Sequence, residues 1–175
     1  MRTTQHILEI VESRGRRRLP LNKILRLICN RNVLLTAYGN IASKPGAITP
    51  GVDAQDTADG MSIERIDYLI QHLHAQTYVW KPVRRTYIPK KSGGKRPLGV
   101  SGFNDKLVQE ALRLILEAYY EPQFSEHSHA YRPNRGCHTA LQTVQKWHGT
   151  RWFIEGDLEK CFDSIDHTML LDILK

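Results

Sequence analysis

Two groups of residues in this 175-residue chain have types and spacings that could do chemistry. The first is Phe153-Ile154-Glu155-Gly156-Asp157-Leu158-Glu159-Lys160-Cys161-Phe162-Asp163. An apolar strand that delivers Asp157 at its end would set a hard carboxylate oxygen where Mg2+ binds, and the Leu158 carbonyl could add a second oxygen. In-line phosphoryl transfer by a two-ion site needs at least one more carboxylate to bridge the ions. Phe162, five residues on, could lie beneath a nucleotide sugar; plain core packing accounts for it as well, and an Asp is also a common helix cap. The second group is cationic. Lys90, Lys91, Lys95 and Arg96 surround a Gly93-Gly94 turn, where they could close on phosphates, Arg as a bidentate fork and Lys as a mobile point charge. Charged edge strands that prevent aggregation would look the same.

The elements that must position these groups follow from periodicity. Ile7, Leu8, Ile10 and Val11 recur at helical spacing between Thr3 and about Arg14, with Gly15 and Arg16-Arg17-Arg18 expected to break the helix. Pro20 is expected to start a second helix burying Ile24, Leu25, Leu27 and Ile28. A third apolar stretch, Val33 to Ala42, runs into an irregular loop over 43–60 rich in Gly, Pro, Asp and Thr. Such a loop is either functional or disordered. Ser62 reads as the N-cap of a helix carrying Ile63, Ile66, Leu69, Ile70 and Leu73. The period then changes to two, and residues 83–89 and 95–100 read as a hairpin whose prolines place it at an edge. From Asp105 an amphipathic helix runs to Pro122, a shorter one lies near His138–Trp147, and residues 151–157 read as a buried strand. Thr168 is expected to cap a last helix that Lys175 interrupts, so the chain reads as one piece of a longer protein.

Charge suggests the partner. The net charge is +7, which favours a polyanion. Residues 1–50 carry Arg2, Arg14, Arg16, Arg17, Arg18, Lys23, Arg26, Arg31 and Lys44 against only Glu9 and Glu12. A second basic block runs from Lys81 to Lys106, and the last stretch is acidic. An ordinary solvated surface is the competing explanation. The cysteines, Cys29, Cys137 and Cys161, are odd in number and far apart, which supports neither a disulfide framework nor a zinc finger. No apolar run is long enough for a membrane span, and Met1 leads straight into a helical pattern, so a cytoplasmic protein is expected.

In combination and order these segments resemble the group II intron reverse transcriptases. The resemblance is carried by Arg84-Arg85-Thr86-Tyr87-Ile88-Pro89-Lys90, by Gly93-Gly94-Lys95-Arg96-Pro97-Leu98-Gly99-Val100, by Asp105-Lys106-Leu107-Val108-Gln109, by Tyr131-Arg132-Pro133-Asn134-Arg135-Gly136 and by Glu155-Gly156-Asp157 through Phe162. Lys44-Pro45-Gly46 through Asp53 is similar to the loop of that family's N-terminal extension. The family often has Pro at Ser101, Arg at Lys106 and Gly-Phe at Ala130-Tyr131, departures that touch packing and remove no catalytic group.

The resemblance implies an α+β fold: a helical N-terminal extension over 1–80 with a template-covering loop at 43–60, fingers with a hairpin and helices over 81–150, and the first strand and helix of a right-hand polymerase palm over 151–175. It implies Asp157 as first metal aspartate of a two-Mg2+ site with Leu158 beside it, Phe162 as gate against a ribose 2′-OH, and Lys90 and Arg96 on the dNTP triphosphate. Arg16, Arg17, Arg18, Lys23, Arg26, Lys44, Arg84, Arg85, Lys91, Arg132 and Arg135 are the expected nucleic-acid contacts. Asp163, Asp166 and His167 are expected to be structural. The implied activity is RNA-directed DNA synthesis by a protein that also binds intron RNA as a splicing maturase, with RNA template, DNA primer and dNTPs as partners in a bacterial or organellar host. No Tyr-x-Asp-Asp motif occurs in the 175 residues, so the chain alone is expected not to synthesise DNA. A non-catalytic intron-RNA-binding module is the alternative, and self-association through exposed apolar surface a weaker one.

Overall fold

The first helix, α1 (Thr4–Arg16), opens where Thr3 Oγ1 accepts the His6 amide and presents Ile7 and Val11 inward. In this computed structural model the described residues are 3–91, 93–159, 161–162 and 164–174; Met1, Arg2, Lys160, Asp163 and Lys175, named above, lie outside them. Next come α2 (Ile24–Ile28), α3 (Arg31–Ala42) and α4 (Ile63–His74). An antiparallel hairpin, β1 (Arg84–Pro89) and β2 (Lys95–Val100), and the long α5 (Phe103–Tyr120) follow, and α6 (Cys137–Gln145) and α7 (His167–Leu174) end the order. A mixture of helices with one small antiparallel sheet matches the expected α+β class.

The chain divides into two compact units, 1–126 and 127–175. In the first, α5 is the central element because Phe103, Leu107, Val108, Ala111 and Ile115 fall on one face and all are buried. It packs against α1, α2 and α3, and α4 packs on α3, so that Val11, Val33, Leu34, Ile66 and Leu69 complete one core. Burial of each such side chain contributes about 1.5–3 kcal/mol.

Several expectations change here. Gly15 does not break α1 but is buried within it, against α5: a Cβ at Gly15 would overlap the Tyr119 carbonyl oxygen, so the missing side chain permits the close approach. Pro20 does not start the second helix. Its carbonyl instead accepts Arg14 Nε (3.1 Å) and Nη2 (2.6 Å), and α2 begins at Ile24 after Lys23 in the left-handed region. Ser62 does cap α4, its Oγ accepting the Arg65 amide at 3.2 Å. The segment 43–60 is an ordered loop rather than a disordered one, with Ala47, Gly51, Asp56 and Ala58 buried and the Ala58 amide bonded to Ala47 O.

In the second unit, the described residues 151–158 form no strand, and Trp152, Phe153 and Ile154 are exposed. This overturns the buried palm strand expected there. A strand is held by the ladder to its neighbour, and in the described structure β1 and β2 pair only with each other. Asp166, rather than Thr168, caps α7: its Oδ1 accepts the amides of Thr168 (2.8 Å) and Met169 (3.0 Å), which holds its carboxyl below the usual range.

Candidate nucleotide and nucleic-acid interface

The hairpin is the most exposed ordered element of the first unit. Its register pairs Arg84 with Val100, Thr86 with Leu98, Ile88 with Arg96 and Pro89 with Lys95. Side chains alternate between faces, so Arg84 and Arg96 share one face and Arg85 and Lys95 the other. The turn closes where the Lys90 amide donates to Gly94 O (3.0 Å) and the Gly93 amide to Lys90 O (3.1 Å). Gly93 and Gly94 adopt φ of +87° and +82°, the left-handed region that L side chains avoid. Lys90, Lys91, Lys95 and Arg96 are all exposed around it, and no acidic residue lies between Arg84 and Val100. Because nothing in the described structure neutralises this tip, it can collect phosphate oxygens.

The root of the hairpin is built differently. Arg84 donates from Nε to Pro50 O (3.2 Å) and Gly51 O (3.1 Å), and from Nη2 to Pro50 O (3.0 Å). Lys81 Nζ meets Asp53 Oδ2 at 2.7 Å, a contact that lowers the Asp53 carboxyl and raises the Lys81 ammonium. Lys106 reaches back to Gly46 O (3.2 Å) and Thr49 O (3.3 Å). Deeper in, Asp56 Oδ1 accepts Arg65 Nη2 and the Asn104 amide, while Asp56 O accepts the Phe103 amide. Tyr78 donates to Asp105 Oδ1 at 2.5 Å, and burial followed by this carboxylate pushes its hydroxyl pKa far up. The Asp56–Arg65 and Asp105–Tyr78 pairs were not singled out from sequence. Their partners lie 9 and 27 residues apart, and nothing in the loop sets Asp56 apart from its neighbours Asp53 and Asp59. Between loop and β2 lies a cavity of about 400 Å³, bordered by Lys44, Pro45, Leu98, Phe103 and Lys106.

The other expected contacts separate by environment. Arg16 pairs with Glu12 at 2.5 Å and Arg31 with Asp67. By contrast Arg17, Arg18, Lys23 and Arg26 are exposed, the first three around the α1–α2 connection. Lys44 and Arg85 are also exposed. Arg84 is already committed to the loop carbonyls. Arg132 Nη1 donates to Ser128 O at 2.9 Å, and Arg135 is partly buried beside it.

Asp157 is exposed, and its Oδ1 accepts the following Leu158 amide at 2.9 Å. Phe162 is exposed as well. A carboxylate and a carbonyl match Mg2+ in kind, but among the described residues no three His, Cys, Asp or Glu side chains gather to hold an ion. Among the described residues the donors therefore fall short of the number a two-ion site requires.

The chain belongs to the reverse transcriptase (RNA-dependent DNA polymerase) family, whose model matches residues 88–175. Several of its relatives are described as intron proteins or intron maturases. It is 45% identical over 178 residues to the group II intron-encoded protein LtrA of Lactococcus lactis subsp. cremoris, covering 99% of this chain and 30% of that protein. It is 49% identical over 148 residues to a 91 kDa protein in the cob intron of Schizosaccharomyces pombe, covering 84% of this chain and 18% of the relative. Nuclear intron maturase 1 of Arabidopsis thaliana, a mitochondrial protein, is 36% identical over 74 residues, covering 42% of this chain and 10% of the relative. The chain thus spans about a third or less of these relatives. No helix among the described residues is long and apolar enough to cross a membrane.

Proposed function

We propose that these residues are the nucleic-acid-gripping part of an RNA-directed DNA polymerase encoded by a group II intron, which also binds intron RNA as a splicing maturase. The observation that carries this reading is the unneutralised hairpin tip, Lys90, Lys91, Lys95 and Arg96, on a chain of the reverse transcriptase family. Residues 1–80 form the N-terminal extension, 81–150 the fingers and 151–175 the start of the palm. Lys90 and Arg96 contact the dNTP triphosphate. The loop with Lys44 covers template near the primer 3′ end, and Arg17, Arg18, Lys23 and Arg26 face intron RNA. Asp157, with the Leu158 carbonyl, supplies part of a two-Mg2+ site that the complete protein finishes, and Phe162 discriminates against ribose there. The partners are intron RNA, an RNA template with DNA primer, and dNTPs, in the cytoplasm or an organelle of the intron's host.

A second reading, a non-catalytic RNA-binding module, is favoured for the 175 residues by themselves because, among the described residues, Asp157 belongs to no group of three side chains that could hold a metal ion. Both readings require RNA binding with steep salt dependence, since counterion release scales with phosphates neutralised. Filter binding of the chain to structured group II intron RNA, together with primer extension on an RNA template, tests them. Salt-sensitive binding without extension is expected. Absence of binding at low salt refutes both readings, and steady extension refutes the module reading.

A further inference from the structure

A two-stranded hairpin with neither face packed is marginally stable in water. Here β1 and β2 are exposed along nearly their whole length, yet the element is ordered and springs from the core at a defined place. What holds it is the 43–60 loop. On the β1 side, Lys81 and Arg84 bind Asp53, Pro50 O and Gly51 O. On the β2 side, the loop lies against the β2–α5 joint so closely that a Cβ at Gly51 would come within 2.6 Å of the Gly102 amide nitrogen. One at Gly102 would collide with the Asp56 carboxylate. Asp56 then closes the joint by accepting the amides of Phe103 (3.2 Å) and Asn104 (3.0 Å). Both roots of the hairpin are therefore gripped by one loop, whose own fold is pinned by Arg65 and Lys106.

We propose that the 43–60 loop is a strut that sets the pose of the hairpin, with Arg84 as its positioning residue rather than a phosphate contact. Two carbonyls 33 and 34 residues away occupy the Arg84 fork, a geometry that a lysine point charge cannot reproduce. Nucleic acid lying on the loop then stiffens the cationic tip as well, so that template engagement and triphosphate capture become linked. This last consequence rests on the reading given under Proposed function, whereas the strut itself does not.

Amide hydrogen exchange on the 175-residue chain separates the two. In the free protein, Arg84→Ala and Arg84→Lys should both speed exchange of the paired strand amides about five-fold, the loss of about one net hydrogen bond. The buried α5 amides should stay unchanged, reporting an intact core. Lys81→Ala, at an exposed ion pair, should give a smaller rise in the same strands. Strand exchange equal to wild type in both Arg84 variants overturns the strut. A direct phosphate contact predicts the opposite pattern: unchanged exchange, with Arg84→Ala lowering the salt slope of RNA affinity by about one and Arg84→Lys restoring it. For the linkage, a single-stranded RNA oligonucleotide should protect residues 43–60 and both strands in wild type, but only 43–60 in Arg84→Ala. Equal protection of the strands in both proteins overturns the linkage. If the oligonucleotide protects nothing, the proposed function fails, and the free-protein comparison still decides the strut.

Discussion

The same substitution should have opposite effects at two helical glycines. Gly39 lies on the exposed face of α3, and a Cβ there meets nothing within 4 Å. Gly39→Ala should therefore gain the ordinary helix-propensity difference, about 0.5–1 kcal/mol. At roughly 2–4 °C per kcal/mol for a chain of this size, the melting temperature rises by about 1–4 °C. Gly15 is buried near the end of α1, and its added methyl would overlap the Tyr119 carbonyl. A backbone carbonyl cannot rotate away, so α1 must lift from α5. That movement also strains the Tyr119 hydroxyl bond to Leu19 O, 2.8 Å long. Overpacking of this kind costs about 1–3 kcal/mol, against a propensity gain of at most about 1. Because the overlap is with a backbone atom, the cost falls in the upper part of that range, about 2–3 kcal/mol, and Gly15→Ala should be destabilised by about 1–2 kcal/mol, a fall of about 2–8 °C. Thermal melts of both variants, followed by far-ultraviolet circular dichroism and repeated in urea, decide the matter. A Gly15→Ala protein as stable as wild type would refute the claim that this glycine exists for close helix packing.

Asp56→Ala should cost about 2–4 kcal/mol in urea unfolding, less than a full buried-pair loss because Arg65 keeps Asn104 Oδ1 and Gly60 O; a change under about 0.5 would remove Asp56 as the loop's anchor. Replacing Arg17 and Arg18 by Ala should lower the slope of log affinity for intron RNA against log salt by about two. Arg16→Ala should do less because Glu12 already neutralises it, and an unchanged slope in the double variant would place the RNA elsewhere. Burial alone would raise the Glu110 carboxyl, but hydrogen bonds from Arg113 and Asn40 outweigh it and hold the group below its ordinary range. A depressed folded pKa gives stability that is present above the unfolded value and lost as pH falls through the folded one. Stability should thus decline below about pH 4.3, and Glu110→Gln should flatten that decline in acid titrations.

Elements governed by near neighbours were legible from the residues alone. The 3.6 period from Leu107 to Ile115 specifies α5 and most of its buried face, although the helix starts at Phe103 rather than at Asp105, Ser62 specifies the start of α4, and the glycine turn between alternating arms specifies the hairpin and its cationic tip. Each depends on hydrogen bonds or side-chain directions within a few residues, so the local chemistry is the whole cause. Asp166 is legible as a structural residue for the same reason, although the residues alone point to Thr168 as the cap of α7. What tertiary structure decided has partners far along the chain. Gly15 reads as a breaker until Tyr119 comes against it. The 43–60 loop reads as irregular until Lys81, Arg84, Phe103 and Lys106 fold onto its carbonyls and carboxylates. Arg84 reads as one more cation of a basic block until Pro50 O and Gly51 O come against its guanidinium. The apolar run 151–157 carries strand character in its composition, but a strand exists only with a neighbour to share its hydrogen bonds, and that pairing is a property of the assembled sheet rather than of the segment.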